Sequence, residues 1–551
     1  MEKDKDKVIN IKRDDRYYMT KANACMLDKD FLQAIKYFHK AVNAVENSKL
    51  HHLIDVSYKI ALGQAYSFVN DLDMANYYFY TSLKYEYTSQ VAYLWLGENF
   101  MKADDDQTAR FYFNQSINYL PNSEVAERAK LRLEVLNKVN HKGFRVVGGQ
   151  SVATKQKLAQ AEDYMSRCKF EKAVEIYEKY GDFSDPKTRA ELSLAYFFLN
   201  DTKKGTELIK EHGQNTLLDL CNLLLIYYCE DDKENFDKTK DELLNYKISK
   251  DEDYFKIGLT FAQTGLVEKA KIYMQNFLSK AKYEPEFEFL YCLTCINAKD
   301  YETARKKLID LKALNPIKSY VYDYYILLCS EKRDEKVEYV FSLPVKEYLK
   351  VQNKIKEFML LGKDELLEAF LQNKDMFYFI ASLPETNAIK MLLVKLATIE
   401  NKHLINFFDY VLLNDYTKPK TKERLVMARG YLDSVDIVGL VRDDVYTRVV
   451  FPETKDNLKL TQEGVFQAGM NAIEYFLAKT HALHIELNLL LRNKNIAMLP
   501  KVFDVSALSV YYVLKNAKAY KDIKLRDVCA YFDVSQEDFY KFIEENNLDM
   551  I

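Results

Sequence analysis

The sequence predicts an all-α protein, a solenoid of stacked helical hairpins, and three observations carry that expectation. Apolar residues recur at helical spacing along almost the whole of the 551 residues, and only 15 Gly and 9 Pro interrupt them. Small residues also return at a fixed interval, with 34 residues from Ala75 to Ala109 and again from Ala270 to Ala304. A period of this size marks a repeated unit that cannot bury its apolar face alone and must stack on its neighbours. A chain of this length with 48% hydrophobic content is also too long for one ordinary domain.

Residues 90–122 set the pattern. Counted from Gln90, Tyr93, Leu96, Gly97, Phe100, Ala109, Phe113, Ser116 and Pro121 fall at places 4, 7, 8, 11, 20, 24, 27 and 32. Small residues at 8 and 20 let two helices approach, large ones fill the seam around them, and the proline stops the second helix. This spacing resembles the tetratricopeptide repeat, a helix–turn–helix unit of 34 residues. An earlier hairpin starts at Asp15, with Ala22, Ala34 and Phe38 at places 8, 20 and 24, and another at Val56, with Gly63, Ala75 and Phe79. The turn joining these two, near Glu46 to His52, is lengthened.

After a further helix at residues 124–140, HKGFRVVGGQSVATKQ has three glycines and no helical period, and reads as a linker or a loop. A second array comes next, with Ala161 and Ala173, Ser193 and Gly205, Gly258 and Ala270, and Cys292 and Ala304 at places 8 and 20. Residues 216–247 keep the helical period without the small residues and read as a degenerate hairpin. Beyond Pro316 the pattern fades into divergent helices. The expected organisation is therefore residues 1–140 as a first array, 141–153 as linker or loop, 154–317 as a second array, 318–434 as divergent helical repeats and 435–551 as a C-terminal helical domain.

That last region opens with DIVGLVRDDVYTRVVFPET, whose β-branched residues flank Asp443-Asp444 and suggest a short β-hairpin. Near its end, LRDVCAYFDVSQEDFYKFI resembles a helix-turn-helix, with Ser535 placed to cap a second helix and Phe539, Phe542 and Ile543 on its inner face. Lys518, Lys521, Lys524 and Arg526 are candidate phosphate contacts just before it. The would-be recognition helix and tail, residues 527–551, carry Lys541 alone against seven acidic residues, so DNA would repel it. Nucleic-acid binding is therefore the alternative, and a structural or protein-binding unit the expectation.

The formal net charge of −3 gives no global field for nucleic acid or anionic membranes. The charged stretch MEKDKDKVINIKRDDR has no apolar core of a secretory signal, and no run of about 18 uncharged apolar residues predicts a membrane span. Eight sparse cysteines suit a reducing, cytoplasmic setting. Cys292 and Cys295 have metal-like spacing but occupy packing places, and His481 with His484 lacks a third ligand, so neither metal nor cofactor is expected. No nucleotide cradle or nucleophile motif occurs, and no enzymatic activity is expected.

Function then rests on the repeat surface. The resemblance implies that places 2, 5, 9, 12 and 13 of each first helix line a groove. On this basis Phe68, Leu94 and Met101 are expected to line the first groove, and Leu194, Phe197, Phe198, Phe255, Leu259, Phe289 and Leu293 the second. Family members that bind chaperone tails use a carboxylate clamp here. Asn23 matches one clamp place, but Met19, Ala61, Val91 and Trp95 occupy others, so such binding is not expected. The expected partner is a protein or peptide with an apolar or amphipathic segment, or a second copy of this chain, unless the chain's own later helices fill the groove.

Overall fold

A computed structural model describes residues 14–46, 53–84, 89–140, 152–166, 169–212, 216–280, 283–414 and 416–430, most of 432–450, and short stretches at 460–461, 498–499 and between 525 and 545. Among the described residues the chain is all-α apart from two short β-ladders. Its contacts divide it into two compact units, residues 1–137 with 312–323 and 343–551, and residues 138–311 with 324–342. This grouping differs from the linear division expected from sequence, since the first array shares a unit with the C-terminal part of the chain.

In the first unit, α1 (Asp15–Leu27) pairs with α2 (Phe31–Glu46), α3 (Leu53–Val69) with α4 (Leu72–Ser82), and α5 (Ser89–Lys102) with α6 (Asp106–Tyr119), before α7 (Glu124–Asn140). In the second, α8 (Val152–Ser166) pairs with α9 (Phe170–Tyr180), α10 (Pro186–Phe198) with α11 (Thr202–His212), α12 (Leu217–Cys229) with α13 (Lys233–Leu244), and α14 (Asp251–Gln263) with α15 (Val267–Leu278). Then come α16 (Pro285–Asn297), α17 (Tyr301–Leu314) and α18 (Ser319–Glu331), the last two crossing the division between units.

Close approach at place 8 explains the hairpins. A Cβ on Gly97 would lie 2.6 Å from the Phe113 ring, and one on Gly63 2.9 Å from the Phe79 ring. The ring at place 24 thus sits directly against the backbone of the first helix.

The turns are equally regular. Lys29, Asn70, Asp104, Asn200, Asp231, Gly265 and Lys299, all at place 15, have φ between 54° and 80°. In each case the next residue's N–H reaches back to the carbonyl of place 11, as from Asp105 to Phe100 (3.0 Å) and from Asp300 to Cys295 (2.8 Å). This ends the first helix by the left-handed cap that satisfies its orphan carbonyls. The residue at place 16 is often Asp, and its carboxylate accepts from the N–H three residues on: Asp30 from Gln33, Asp71 from Met74, Asp105 from Thr108, Asp232 from Asn235 and Asp300 from Thr303. The stretch read as degenerate has this same turn at Asp231-Asp232. Its seam carries Leu224 and Phe236 where small residues stand elsewhere, and those bulky side chains hide the pattern in the sequence.

Later segments of the first unit dock on its array through buried polar contacts. The Tyr66 hydroxyl donates to the Leu314 carbonyl, which leaves His39 Nε2 to donate to Tyr66 (2.6 Å). Lys84 pairs with Asp409 of α23 (Lys402–Leu413). Strands β1 (Ile437–Arg442) and β2 (Val445–Val450) pair antiparallel around Asp443-Asp444, with Arg442 opposite Val445. The hydroxyls of Tyr80 (3.3 Å) and Tyr112 (2.5 Å) donate to the Asp444 carbonyl, and Tyr112 accepts from the Tyr446 N–H (3.1 Å). The first unit also contains α19 (Val345–Leu360), α20 (Lys363–Gln372), α21 (Lys374–Ala381), α22 (Asn387–Ala397) and α24 (Pro419–Gly430). At its end, α25 (Gln536–Glu545) is capped by Ser535, which accepts from the Asp538 N–H (3.0 Å), and buries Phe539 and Ile543. Phe542, the lengthened turn after Glu46 and most of the stretch read as a linker lie outside the described residues.

Substitution at place 8 and a change of pH probe these contacts separately. Gly97→Ala should destabilise the first unit by about 1–3 kcal/mol in thermal or urea unfolding, because the Phe113 ring is rigid. Gly258→Ala should destabilise the second unit as well, since its added Cβ would meet Met274 Cγ at 2.8 Å and the backbone of Met274 and Ala270 at 3.2 and 3.3 Å. Burial lowers the His39 pKa from the ordinary 6.5 to about 4, so the fold favours neutral imidazole. Its contribution is complete above pH 6.5 and is lost as pH falls toward 4, by about 3 kcal/mol. Melting temperatures measured across that range should fall more steeply in the wild type than in His39→Gln.

Candidate functional site

The ten residues expected to line the grooves divide by place. Those at place 5 are packed away: Leu94, Phe255 and Phe289 are all buried. Phe255 lies against Phe277 and against Phe287 of the next hairpin, with ring centroids 5.3 and 4.2 Å away, and the Phe289 ring meets Tyr325 edge-on at 5.4 Å. Leu293, at place 9, is buried as well. These four correct the expectation, because stacking of successive hairpins turns place 5 into an inter-repeat seam. Leu194 and Leu259 at place 9, and Met101 and Phe197 at place 12, are half-buried. Phe68 and Phe198 at place 13 are 49% and 52% exposed.

Phe68 and Phe198 share one construction. Phe68 stacks on Phe31 at 4.8 Å, and Phe198 on Phe170 at 4.6 Å, in each case place 13 on place 17 of the preceding hairpin. One ring face is thereby committed to holding neighbouring hairpins together; Phe68 also meets Trp95 edge-on at 5.6 Å, and each ring keeps about half its surface exposed. Phe197 meets Phe198 edge-on at 5.6 Å. In the second unit, Leu194, Phe197, Phe198 and Leu259 are thus accessible apolar residues of the first-helix faces, together with Tyr228, which is 43% exposed.

Arg189 and Asp219 form a bidentate pair, Nε–Oδ1 at 2.9 Å and Nη2–Oδ2 at 2.6 Å, both side chains almost fully buried. The pair joins α10 to α12 and, where Asp219 also caps with Thr216, orders the start of α12. It is a structural tie.

Sequence reasoning missed one feature of α16. Asn297, at place 13, receives the Val337 N–H on Oδ1 (2.8 Å) and donates through Nδ2 to the Val337 carbonyl (2.9 Å). The Tyr301 hydroxyl donates to the Arg333 carbonyl (3.0 Å). Residues of the chain itself are therefore held along this hairpin. The only sequence signal was the loss of helical pattern after Glu331.

Cys292 and Cys295 are buried, and burial pushes the Cys292 thiol well up and that of Cys295 to about 11, which keeps both protonated and suits packing rather than ligation. Among the described residues no group of three or more His, Cys, Asp or Glu is placed to hold a metal ion. His481, His484, Lys518, Lys521 and Lys524 lie outside the described residues, while Arg526 is exposed. No helix among the described residues is long and apolar enough to cross a membrane.

No protein-family model matches the chain. The TPR repeat-containing protein YvcD of Bacillus subtilis (strain 168) is 33% identical over 107 residues, which are 19% of this chain and 22% of that protein. The chain thus spans about a fifth of the length of this relative. Among solved structures, the P58(IPK) TPR domain aligns over 75% of this chain and 97% of its own at 13% identity, with a TM-score of 0.18. Yeast Tom70 aligns over 97% and 95% at 14% identity, with a TM-score of 0.19. Superpositions that poor carry no weight. The repeat type rests on the hairpins, with their recurrent small residues, left-handed turns and 34-residue spacing.

The two classes of groove residue are separable. Phe289→Glu should bury an unpaired charge and abolish cooperative melting of the second unit, whereas Phe198→Glu should melt within about 1 kcal/mol of wild type. Circular dichroism melts of the two variants provide the check.

Proposed function

We propose that this tetratricopeptide-type chain is a non-enzymatic protein-binding scaffold or adaptor, cytoplasmic, whose second array captures an apolar or amphipathic segment of another protein or of a second copy of itself. The observation that carries the reading is the set of accessible apolar residues on the first helices of that array: Phe198 is 52% exposed, Leu194 and Phe197 on the same helix are half-buried, and so is Leu259 on α14. Three such side chains on one helix of the array offer anchors at helical spacing, which suits recognition of a partner helix or peptide. Rigid repeats also lower the ordering cost of binding, because the receptor is preorganised.

Affinity purification of the tagged chain from its own cells, with and without nuclease, tests this beside a Phe197→Glu, Phe198→Glu double variant. A protein recovered regardless of nuclease and lost with the variant, at unchanged helicity, is the expected result. Retention of that protein by the folded variant would overturn the reading. Recovery that depends on nucleic acid, and falls when Lys518, Lys521, Lys524 and Arg526 are neutralised, would instead favour a regulator acting through its C-terminal helices.

A further inference from the structure

The helix α18 begins as the first helix of another hairpin. Lys332 has φ 48°, and the Arg333 N–H reaches the Leu328 carbonyl at 3.2 Å, the same turn that joins the other hairpins. No second helix comes after it: residues 333–344 run without helix until α19 begins at Val345. Tyr325 supplies the reason. It stands at place 8, where most hairpins carry a small residue and α12 carries Leu224, and its buried ring takes the space of a packed helix. Its hydroxyl donates instead to the Ser342 carbonyl at 3.0 Å.

The non-helical segment is held by side chains of three helices, Asn297 of α16, Tyr301 of α17 and Tyr325 of α18, in the manner of a bound peptide. The chain holds its main chain at three points, Arg333 through Tyr301, Val337 through both arms of the Asn297 amide, and Ser342 through Tyr325. Val337 is 4% exposed, while its neighbours Lys336 and Glu338 point to solvent. Main-chain hydrogen bonds with one buried aliphatic side chain form a recognition scheme that demands a non-helical backbone, here with a tight turn where the Val340 N–H reaches the Glu338 carbonyl (3.0 Å), and little sequence. Nothing in those contacts requires that the segment be covalently attached.

We propose that residues 334–341 are an internal pseudo-ligand of the surface carrying Asn297, Tyr301 and Tyr325, and that the external ligand of this surface is a non-helical segment of another protein with an aliphatic residue at the Val337 place. This rests on the scaffold reading and deepens it at one hairpin. Because the strap is tethered, its effective concentration is of the order of millimolar, so a competing segment must exceed it in contacts or be abundant. The strap thereby sets a threshold for occupancy.

The test uses the full chain with residues 334–341 replaced by a Gly/Ser segment of equal length, titrated with a fluorescent peptide of residues 332–343. Saturable binding to the replaced chain, at least tenfold weaker binding to the wild type, and loss of binding with Asn297→Asp or with a peptide carrying Val337→Asp are expected. Absence of binding by a replaced chain that keeps its helicity and melting transition overturns the proposal. So does equal binding by both chains, and so does a replaced chain that fails to fold, which would make the strap part of the core. Phe197 and Phe198 are unchanged throughout, so partner capture through them succeeds or fails independently.

Discussion

Everything in the repeat architecture depends on how closely two helices can approach at one point. Where Gly97 faces Phe113 and Gly63 faces Phe79, there is no room for even a methyl group, and the ring fills the space against the backbone. That contact fixes the crossing of the two helices and hence the short turn between them. The turn in its own right needs one left-handed residue and favours an aspartate to cap the second helix, so the same hydrogen bonds recur from Asp30 to Asp300. A single constraint of size propagates into backbone conformation, capping and period.

The two departures show how much the constraint tolerates. With Leu224 and Phe236 at the small places, the hairpin survives, because its turn and cap are intact and Phe236 packs against the cluster of Ile209, Leu223 and Tyr227 and beside Tyr228. With Tyr325 at place 8, the turn forms but the second helix does not. The difference is bulk: a branched aliphatic chain can be accommodated in the seam, whereas a buried aromatic ring takes the space of the helix itself.

The first unit depends on a further kind of contact, buried polar groups from distant parts of the chain satisfying one another. The tip of the β-hairpin presents the Asp444 carbonyl, and the hydroxyls of Tyr80 and Tyr112 meet it. Gly439 is needed beside this contact, since a Cβ there would stand 2.8 Å from the Tyr446 ring. The Leu314 carbonyl is met in the same way by Tyr66, backed by His39. An unpaired carbonyl in such places would carry a desolvation penalty of about 1–3 kcal/mol, so these tyrosines specify which segments dock.

The sequence by itself determined the hairpins, their order and their period, because size at places 8, 20 and 24 is a local property read directly from residue type. It also foretold a β-hairpin at Asp443-Asp444 and a capped helix after Ser535, both set by short-range preference. Tertiary structure alone decided which groove residues stay accessible. Phe289 and Phe198 look alike in sequence, yet one is sealed by Tyr325 and the other stays about half exposed over Phe170. It likewise decided that Asn297 holds Val337, 40 residues away, and that the first array and the β-hairpin share one unit. Burial and long-range hydrogen bonding depend on what the rest of the chain brings alongside, and no periodicity along the chain records that.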